Sequence, residues 1–255
     1  MAADPFQPGP LRDAVQHLFN GDFGLSQSIL KEHMAERPLD PLGYSLAAAA
    51  PFYHFIGLRF RSEHGNSFQS LITGSAIEMP EAMQHDLVRL LRRARELACS
   101  NQTDQNSVFA LCVAEGVYRD LLALVLRRWQ TSLRHAQQAT LQARRLLSLN
   151  PAAYDAYFVI GFSEHMLVKI PAVFKPFTTI PGIVGHTGRA IQFLEAAAHS
   201  GWYFREFARQ MLVTVYIEER RTRDALRILT GLTEDFPGNA GYRKEWDRLV
   251  TQNAL

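Results

Sequence analysis

The sequence has few cysteines and almost no net charge. Its 255 residues include 2 cysteines, and 27 basic residues nearly balance 25 acidic ones, which leaves a formal charge of +2. Two cysteines are too few for a small secreted domain built on disulfides. A charge this small gives no reason to expect nucleic acid or a membrane surface as a partner. With 47% apolar and 20% charged residues, the composition is that of a globular chain and not of a disordered one.

Long apolar segments and a signal peptide are also absent from the sequence. The apolar stretch Leu121 to Leu126 ends at Arg127, far short of the roughly 18 apolar residues that cross a membrane. Met1 to Pro10 has neither the basic nor the apolar region of a signal peptide. We therefore expect a soluble cytoplasmic protein, with a periplasmic or secreted location as the alternative if a leader has been removed from this chain.

The two cysteines are expected to be free, buried thiols. A turn after Cys99 leaves Cys112 about 12 Å along the next helix, which is too far for a disulfide. Neither cysteine has the local sequence of an activated thiolate.

Strand patterns are lacking, and proline is absent from two long parts of the chain. No proline occurs between Pro80 and Pro151 or between Pro181 and Pro237. No segment between turn signals alternates apolar and polar residues long enough for a strand. From Leu87 to Cys99 the apolar residues instead recur with the period of an amphipathic helix. The sequence therefore predicts an all-α protein.

The predicted helices form pairs of about 34 residues, the length of a tetratricopeptide unit. In three parts of the chain, residues match the aromatic, aliphatic, small or proline positions of the tetratricopeptide pattern. In chain order, the matching residues are Ala14, Gly21, Asp22, Phe23, Leu30 and Pro38; Tyr157, Ile160, Gly161, Ala190, Leu194 and Ala197; and Leu212, Tyr216, Ala225, Leu229 and Pro237. Small residues let the two helices of a pair approach closely, and the proline ends the second helix.

On these residues the chain resembles tetratricopeptide repeat proteins from about Leu11 to Leu249. More narrowly, it is similar to bacterial proteins related to the tetratricopeptide repeat protein 39 group. The stretches that carry this second resemblance are Asn150-Pro151, Tyr154 to Tyr157, Gly161, Phe193 to Ala197, Gly201, Tyr216 and Ala225 to Pro237. The resemblance implies a right-handed superhelical solenoid of antiparallel helix pairs, and members of such families mostly act as interaction scaffolds.

The expected organisation is one domain of about five hairpins and a C-terminal capping helix, over residues 11–255, after a flexible segment at 1–10. The hairpins are expected at 11–36, 40–99, 104–149, 152–199 and 203–235, with the cap at 240–250 and a loop at 61–79. An apolar insertion at 169–188 interrupts the fourth hairpin. Exposed loops are seldom so apolar, so we expect it to pack over the groove as a lid, with a contact patch for a partner or a membrane as the alternative.

Catalytic and cofactor motifs are missing. The nine histidines are dispersed without a His-x-x-x-His pair, and there is no Gly-x-Ser-x-Gly. The stretch Gly182 to Arg189 departs from a phosphate-binding loop in its glycine spacing and lacks the Lys. Arginine clusters such as the one at 89–95 are read as solvated faces, because acidic residues accompany most of them. We expect no enzyme, metal, cofactor or nucleic-acid partner.

The concave groove of the solenoid is the candidate binding site. Tetratricopeptide proteins that clamp a terminal carboxylate carry Lys and Asn on the first helices of their pairs, at positions that hold Leu11 and Val15, Phe158 and Phe162, and Gln210 and Thr214 here. No such clamp is present. The predicted contact residues are Phe158, Phe162, His165, Gln210 and Thr214.

The predicted function is a non-catalytic scaffold that binds a protein or peptide, with an apolar helix or extended segment in the groove. That segment comes from a partner or from the insertion at 169–188. Packing of Phe158 and Phe162 under the neighbouring repeat or the insertion is the structural alternative. The functional alternative is a helical protein that binds a small ligand or lipid, with the same insertion as its lid.

Overall fold

A computed structural model of the chain describes residues 9–63, 76–169 and 184–253. All regular structure in these ranges is helical. The helices are α1 (Pro10–Asn20), α2 (Phe23–Glu36), α3 (Pro41–Glu63), α4 (Glu81–Cys99), α5 (Gln105–Asp120), α6 (Trp129–Leu149), α7 (Asp155–Lys169), α8 (Thr187–Ser200), α9 (Arg205–Glu218), α10 (Thr222–Asp235) and α11 (Ala240–Asn253). A π-helical turn, Leu121–Val125, continues α5.

Consecutive helices pack in five pairs, α1 with α2, α3 with α4, α5 with α6, α7 with α8 and α9 with α10, and α11 packs on the last pair. Each pair also contacts the next. The buried apolar residues form two clusters, a large one along the stack and a smaller one among the last helices, and the partly buried Phe158 and Ile228 pack against both. This confirms the predicted fold class. Helix α3 continues through Pro51 to Glu63, beyond the point where a loop was expected.

Local chemistry explains where helices begin and end. Proline occupies the first position of α1, where its missing N–H would have no helical partner, and Gly21 ends that helix in the left-handed region with φ +92°. Asp104 precedes α5 and accepts a 2.9 Å hydrogen bond from the backbone N–H of Ser107. These features separate the helices at the turns that the sequence indicates.

Close packing within a pair is clearest between α7 and α8. A Cβ atom at Gly161 would lie 3.0 Å from Leu194 Cγ and 3.1 Å from the carbonyl oxygen of Ala190. Ala190 and Leu194 are themselves fully buried. The two helices therefore meet at the small residues that the repeat pattern selects.

Polar side chains join neighbouring pairs at the start of their first helices. Asp40, just before α3, accepts hydrogen bonds from the Leu42 N–H at 3.0 Å and from Asn106 Nδ2 at 2.7 Å, and His33 Nε2 lies 2.7 Å from its other oxygen. Burial alone would raise the pKa of Asp40, but these hydrogen bonds outweigh it and lower the pKa below its ordinary value. The carboxylate thus links α2, α3 and α5.

The cysteines are unpaired in the structure, as expected, but only Cys112 is buried. Burial raises the pKa of the Cys112 thiol well above its ordinary value. Cys99 is exposed at the end of α4, so the expectation that both thiols are buried is wrong for Cys99. Cys99 is the last residue of α4 and precedes the exposed turn residues 100–103, so its side chain meets solvent.

Candidate functional site

The first helices of the pairs line the inner face of the stack, where aromatic rings meet. The ring of Phe158 on α7 lies 4.9 Å from Phe204 and 6.2 Å from Phe207, centroid to centroid. Phe109 on α5 lies 5.5 Å from Phe204, and Tyr53 on α3 lies 5.1 Å from Phe207. Side chains from α3, α5, α7 and α9 therefore fill the centre of the inner face.

A polar pair continues this cluster on α5. Arg119 donates to Asp120 through Nε at 2.7 Å and through a terminal nitrogen at 2.8 Å, and the Tyr53 hydroxyl donates to the same carboxylate at 2.8 Å. On its other side, the Arg119 guanidinium lies 4.1 Å from the centroid of Phe162. Phe162 in turn lies 6.0 Å from Phe158. These contacts form a closed circuit, the inner ring, made of Tyr53, Arg119, Asp120, Phe158, Phe162 and Phe207.

The charged members of the inner ring are mostly enclosed. The side chains of Arg119 and Asp120 are 12% and 16% exposed. Burial alone would lower the pKa of Arg119, but Asp120 more than offsets this and raises it, so the guanidinium stays charged. Burial, reinforced by Asp120, raises the pKa of Tyr53. The inner face thus combines apolar ring surface with one fixed ion pair.

A buried carboxylate positions part of the aromatic cluster. Asp155 in the first turn of α7 accepts hydrogen bonds from the backbone N–H groups of Trp202 at 2.9 Å, Tyr203 at 2.8 Å and Phe204 at 2.6 Å. Burial raises the pKa of Asp155 although these hydrogen bonds lower it. A Cβ at the preceding Gly201 would lie 2.5 Å from the Ala197 carbonyl oxygen, so only glycine fits. Asp155 therefore holds Tyr203 and Phe204 against the inner face.

The first pair of the stack meets the turn between α10 and α11 at a contact that we call the clasp. Asn20 Oδ1 accepts a 3.1 Å hydrogen bond from the Gly238 N–H, and Asn239 Nδ2 donates to the Phe19 carbonyl oxygen at 2.8 Å. Beside the clasp, the rings of Phe19 and Phe207 lie 4.7 Å apart, edge to face. The two ends of the stack therefore touch, and the inner face is enclosed at this level.

Little empty space remains at the centre of the inner face. A void between the first three helices and the start of α9 has a volume of about 10 Å³. It is lined by Val15, Leu18, Ser26, Leu30, Leu46, Ala49, Ala50, Tyr203, Phe204 and Phe207. This volume is near the smallest that holds one water molecule, so the void cannot accept a lipid or a metabolite.

The structure brings some of the predicted contact residues together and separates others. Phe158 and Phe162 are half-buried neighbours in the inner ring. His165 is 1% exposed, with Nε2 3.3 Å from the Glu218 carboxylate. On α9, Gln210 Nε2 donates to the Tyr242 hydroxyl, and the Thr214 hydroxyl donates to the Gln210 carbonyl oxygen at 3.4 Å. Gln210 and Thr214 are half-buried on the same helix as Phe207.

Four members of the inner ring, Tyr53, Arg119, Asp120 and Phe207, were not predicted as site residues from the sequence, and neither was Asp155. An Arg-Asp dipeptide on a helix is ordinary in sequence, and nothing in it signals burial. For Asp155 the sequence gives a weak indication of its role. Its carboxylate stands at the start of a helix, and a carboxylate can accept hydrogen bonds from the backbone of a segment such as the aromatic one after Gly201.

Most of the insertion, residues 170–183, lies outside the described residues, so its packing as a lid stays a prediction. The residues that flank it are held by ion pairs and hydrogen bonds. Lys169 Nζ lies 2.8 Å from the Glu218 carboxylate. The buried Glu164 carboxylate pairs with Arg189 and accepts the N–H groups of Gly185 at 2.8 Å and His186 at 3.1 Å. A Cβ at Gly185 would lie 3.0 Å from Leu167 Cβ, so the described residues at the two ends of the insertion lie next to each other.

Within residues 9–63, 76–169 and 184–253, no group of three or more His, Cys, Asp or Glu side chains is placed to hold a metal ion. In the same ranges, no helix is long and apolar enough to cross a membrane.

Comparison with known proteins identifies the fold. No protein-family model and no curated protein matches the sequence. Among solved structures, the chain is similar to TTC0263, a thermophilic TPR protein of Thermus thermophilus. The two superpose with a TM-score of 0.52 at 16% sequence identity, over 95% of this chain and 97% of that chain. The fold is that of a TPR protein. At this identity, the likeness concerns the fold alone.

Proposed function

We propose that the chain is a non-catalytic scaffold that binds a segment of a partner protein at the inner face of its TPR-like fold. The inner ring is the observation that carries this proposal. It places half-exposed aromatic side chains beside a fixed arginine on the face that helical solenoids use for binding.

The residue types of the inner ring suit a binding surface. Tyrosine and arginine are enriched among the residues that dominate binding energy, and aromatic rings supply large contact areas. A buried ion pair usually stabilises a fold no better than apolar residues of the same volume. The Arg119 and Asp120 pair is therefore better explained by selectivity, since a segment that carries a matching polar group can pair with it.

The proposed contact set is Phe158, Phe162, Gln210 and Thr214, with Arg119 and Tyr53 added from the structure. His165 is buried, so its part in the site is to support α7 and α9 through Glu218. A partner segment would pack on Phe162 and along α9, in the form of an apolar helix or an extended strand.

Two more specific proposals concern the related proteins of this chain and its location in the cell. The resemblance to bacterial proteins related to the tetratricopeptide repeat protein 39 group is compatible with a fold of this class. Two unpaired thiols are compatible with a cytoplasmic location. The alternative function, binding of a lipid or small ligand under the insertion, depends on residues 170–183. The void at the centre of the inner face is too small for such a ligand.

The test begins with co-purification to identify the bound protein, followed by measurement of its affinity for Phe162→Ser. We expect binding to weaken by more than about 1 kcal/mol, because a contact aromatic residue is lost. Tyr154→Ser is the matched control, since Tyr154 is an exposed aromatic residue just before α7 and outside the inner ring.

Circular dichroism checks that both variants keep their helices. The double variant Phe158→Ser with Phe162→Ser should lose more affinity than Phe162→Ser alone. Unchanged affinity in a folded double variant would remove this site, and loss of folding would show that the pair belongs to the core. A mass spectrum of the native protein tests the alternative, because a bound lipid or metabolite would appear as added mass.

A further inference from the structure

Helix α4 carries an open depression on a side of the molecule that the inner face does not use. Its volume is about 650 Å³, and it lies between the first turn of α3 and the exposed side of α4. The residues that matter in it are Tyr44, Val88, Arg89, Arg92, Arg93 and Glu96. Helix α4 contributes no side chain to the inner ring.

The charges around this depression are mainly positive and are weakly held. Arg89 pairs with Asp86 at 3.0 Å, and both side chains are about 70% exposed, at 71% and 69%. Arg93 lies 3.7 Å from Glu96, again on the surface. Ion pairs this exposed contribute little and exchange readily with other partners. Arg92 has no ion pair among the described residues, so three guanidinium groups face one carboxylate of the lining.

The lining of the depression also includes partly buried side chains with apolar surface. Tyr44 is half-buried, and its hydroxyl donates to the Pro38 carbonyl oxygen at 3.2 Å, which fixes the ring. Val88 is half-buried beside it on α4. A fixed tyrosine and an aliphatic side chain surrounded by arginines match the composition of the central residues of protein interfaces.

We propose that this α4 depression docks an acidic segment of a partner protein. The planar guanidinium group of arginine matches a carboxylate with two parallel hydrogen bonds, which favours Glu and Asp side chains as ligands. A nucleic acid fits less well, because Tyr44 is the one Phe, Tyr or Trp side chain in the lining and provides no successive stacking platforms for bases. The site is separate from the inner face, so it gives the scaffold a second surface.

Fluorescence anisotropy on the full chain at low ionic strength tests the proposal. The probes are a fluorescein-labelled octaglutamate peptide, the octaglutamine peptide of the same length and an oligothymidylate of the same length. We expect octaglutamate to bind more tightly than both other probes. In the variant Arg92→Glu with Arg93→Glu, its affinity should fall about tenfold or more, because like charges then meet across the site.

The matched control is Arg134→Glu with Arg223→Glu, which changes the net charge equally at two exposed positions on α6 and α10. The control should change affinity by less than about twofold, because distant surface charges are screened. Arg92→Gln, a milder change, should lose about threefold even if the double variant fails to fold. Equal losses in the control and in the site variant, or equal binding of octaglutamine, would overturn the proposal. Oligothymidylate that binds as tightly as octaglutamate would assign the surface to nucleic acid instead.

Discussion

The interior of a helix pair and the inner face of the stack are built on different principles. Between α7 and α8, Gly161 meets Ala190 and Leu194, which are small or aliphatic and belong to one pair. On the inner face, α3, α5, α7 and α9 contribute aromatic rings and a buried ion pair to one circuit of contacts. Contacts within a pair define the repeating unit, and contacts across the inner face decide whether the stack is open or closed.

Contacts across the inner face leave this TPR-like solenoid without an open groove. Such stacks are normally held by contacts between neighbouring repeats alone. Here the clasp adds a contact between the first pair and the turn before α11. A partner segment bound at the inner face, as proposed above, would therefore contact the partly exposed surface of the inner ring and not a deep channel.

The largest expected effect concerns Asp155, which supports the inner face. Asp155→Ala leaves the backbone N–H groups of Trp202, Tyr203 and Phe204 without this acceptor, and the last two belong to buried residues. We expect a loss of about 3 kcal/mol or more in the free energy of unfolding, measured with denaturant. Asp104→Ala is the control, because that carboxylate accepts one backbone N–H at the start of α5, and about 1 kcal/mol should be lost. Equal losses in the two variants would mean that Asp155 only caps its own helix.

A bulky residue inside a pair gives the next largest effect. Gly161→Leu should destabilise by about 1 to 3 kcal/mol through overpacking against Leu194, and Ala190→Leu should do the same from the other helix. Alanine provides the matched control. Gly116 on α5 has open space at its Cβ position, so Gly116→Ala should stabilise by about 0.5 kcal/mol, whereas Gly161→Ala should not. Denaturation midpoints for Gly161→Leu and Ala190→Leu that match the wild type would refute the predicted register of the pair.

Breaking the clasp should have a smaller effect. Asn239→Asp removes the donor to the Phe19 carbonyl oxygen but keeps the oxygen that accepts from the Gly241 N–H, and it should cost about 1 kcal/mol in thermal or denaturant unfolding. Asn101→Asp is the control, since Asn101 is exposed in the turn before α5 and its side chain accepts a local hydrogen bond from Thr103. A clasp variant as stable as the control variant would indicate that the two ends are not held together in solution.

The smallest effect is a dependence on pH at the junction between the first two pairs. The pKa of Asp40 is lowered in the folded chain, so its carboxylate stabilises the fold above the ordinary pKa of 3.8, and this stability is lost as the pH falls through the lower folded value. Asp40→Asn should therefore show a shallower loss of stability than the wild type in that acidic range. Parallel curves for the two proteins would show that Asp40 does not contribute to the acid sensitivity.

The helix pairs and the contacts within them could be predicted from the sequence, because both follow from the local spacing of residues. Gly161 and Ala190 were identified from their spacing alone, and the structure places them in contact. Phe158 and Phe162 were assigned to the inner face for the same reason, since helical spacing fixes the side of α7 on which they lie. Their surroundings were not predictable, because the partners Arg119, Tyr53 and Phe207 come from helices distant in sequence. Which of these side chains meet depends on the curvature of the whole stack.

A double-mutant cycle between Phe19 and Phe207 tests most directly whether the stack closes on itself. The two rings belong to α1 and α9 and lie 4.7 Å apart only if the ends of the stack meet across the inner face. The free energy of unfolding is measured for Phe19→Leu, Phe207→Leu and the double variant. A closed stack predicts a coupling energy of about 0.5 to 1.5 kcal/mol between the two positions. Additivity within about 0.3 kcal/mol would show that the rings do not touch and that the groove is open.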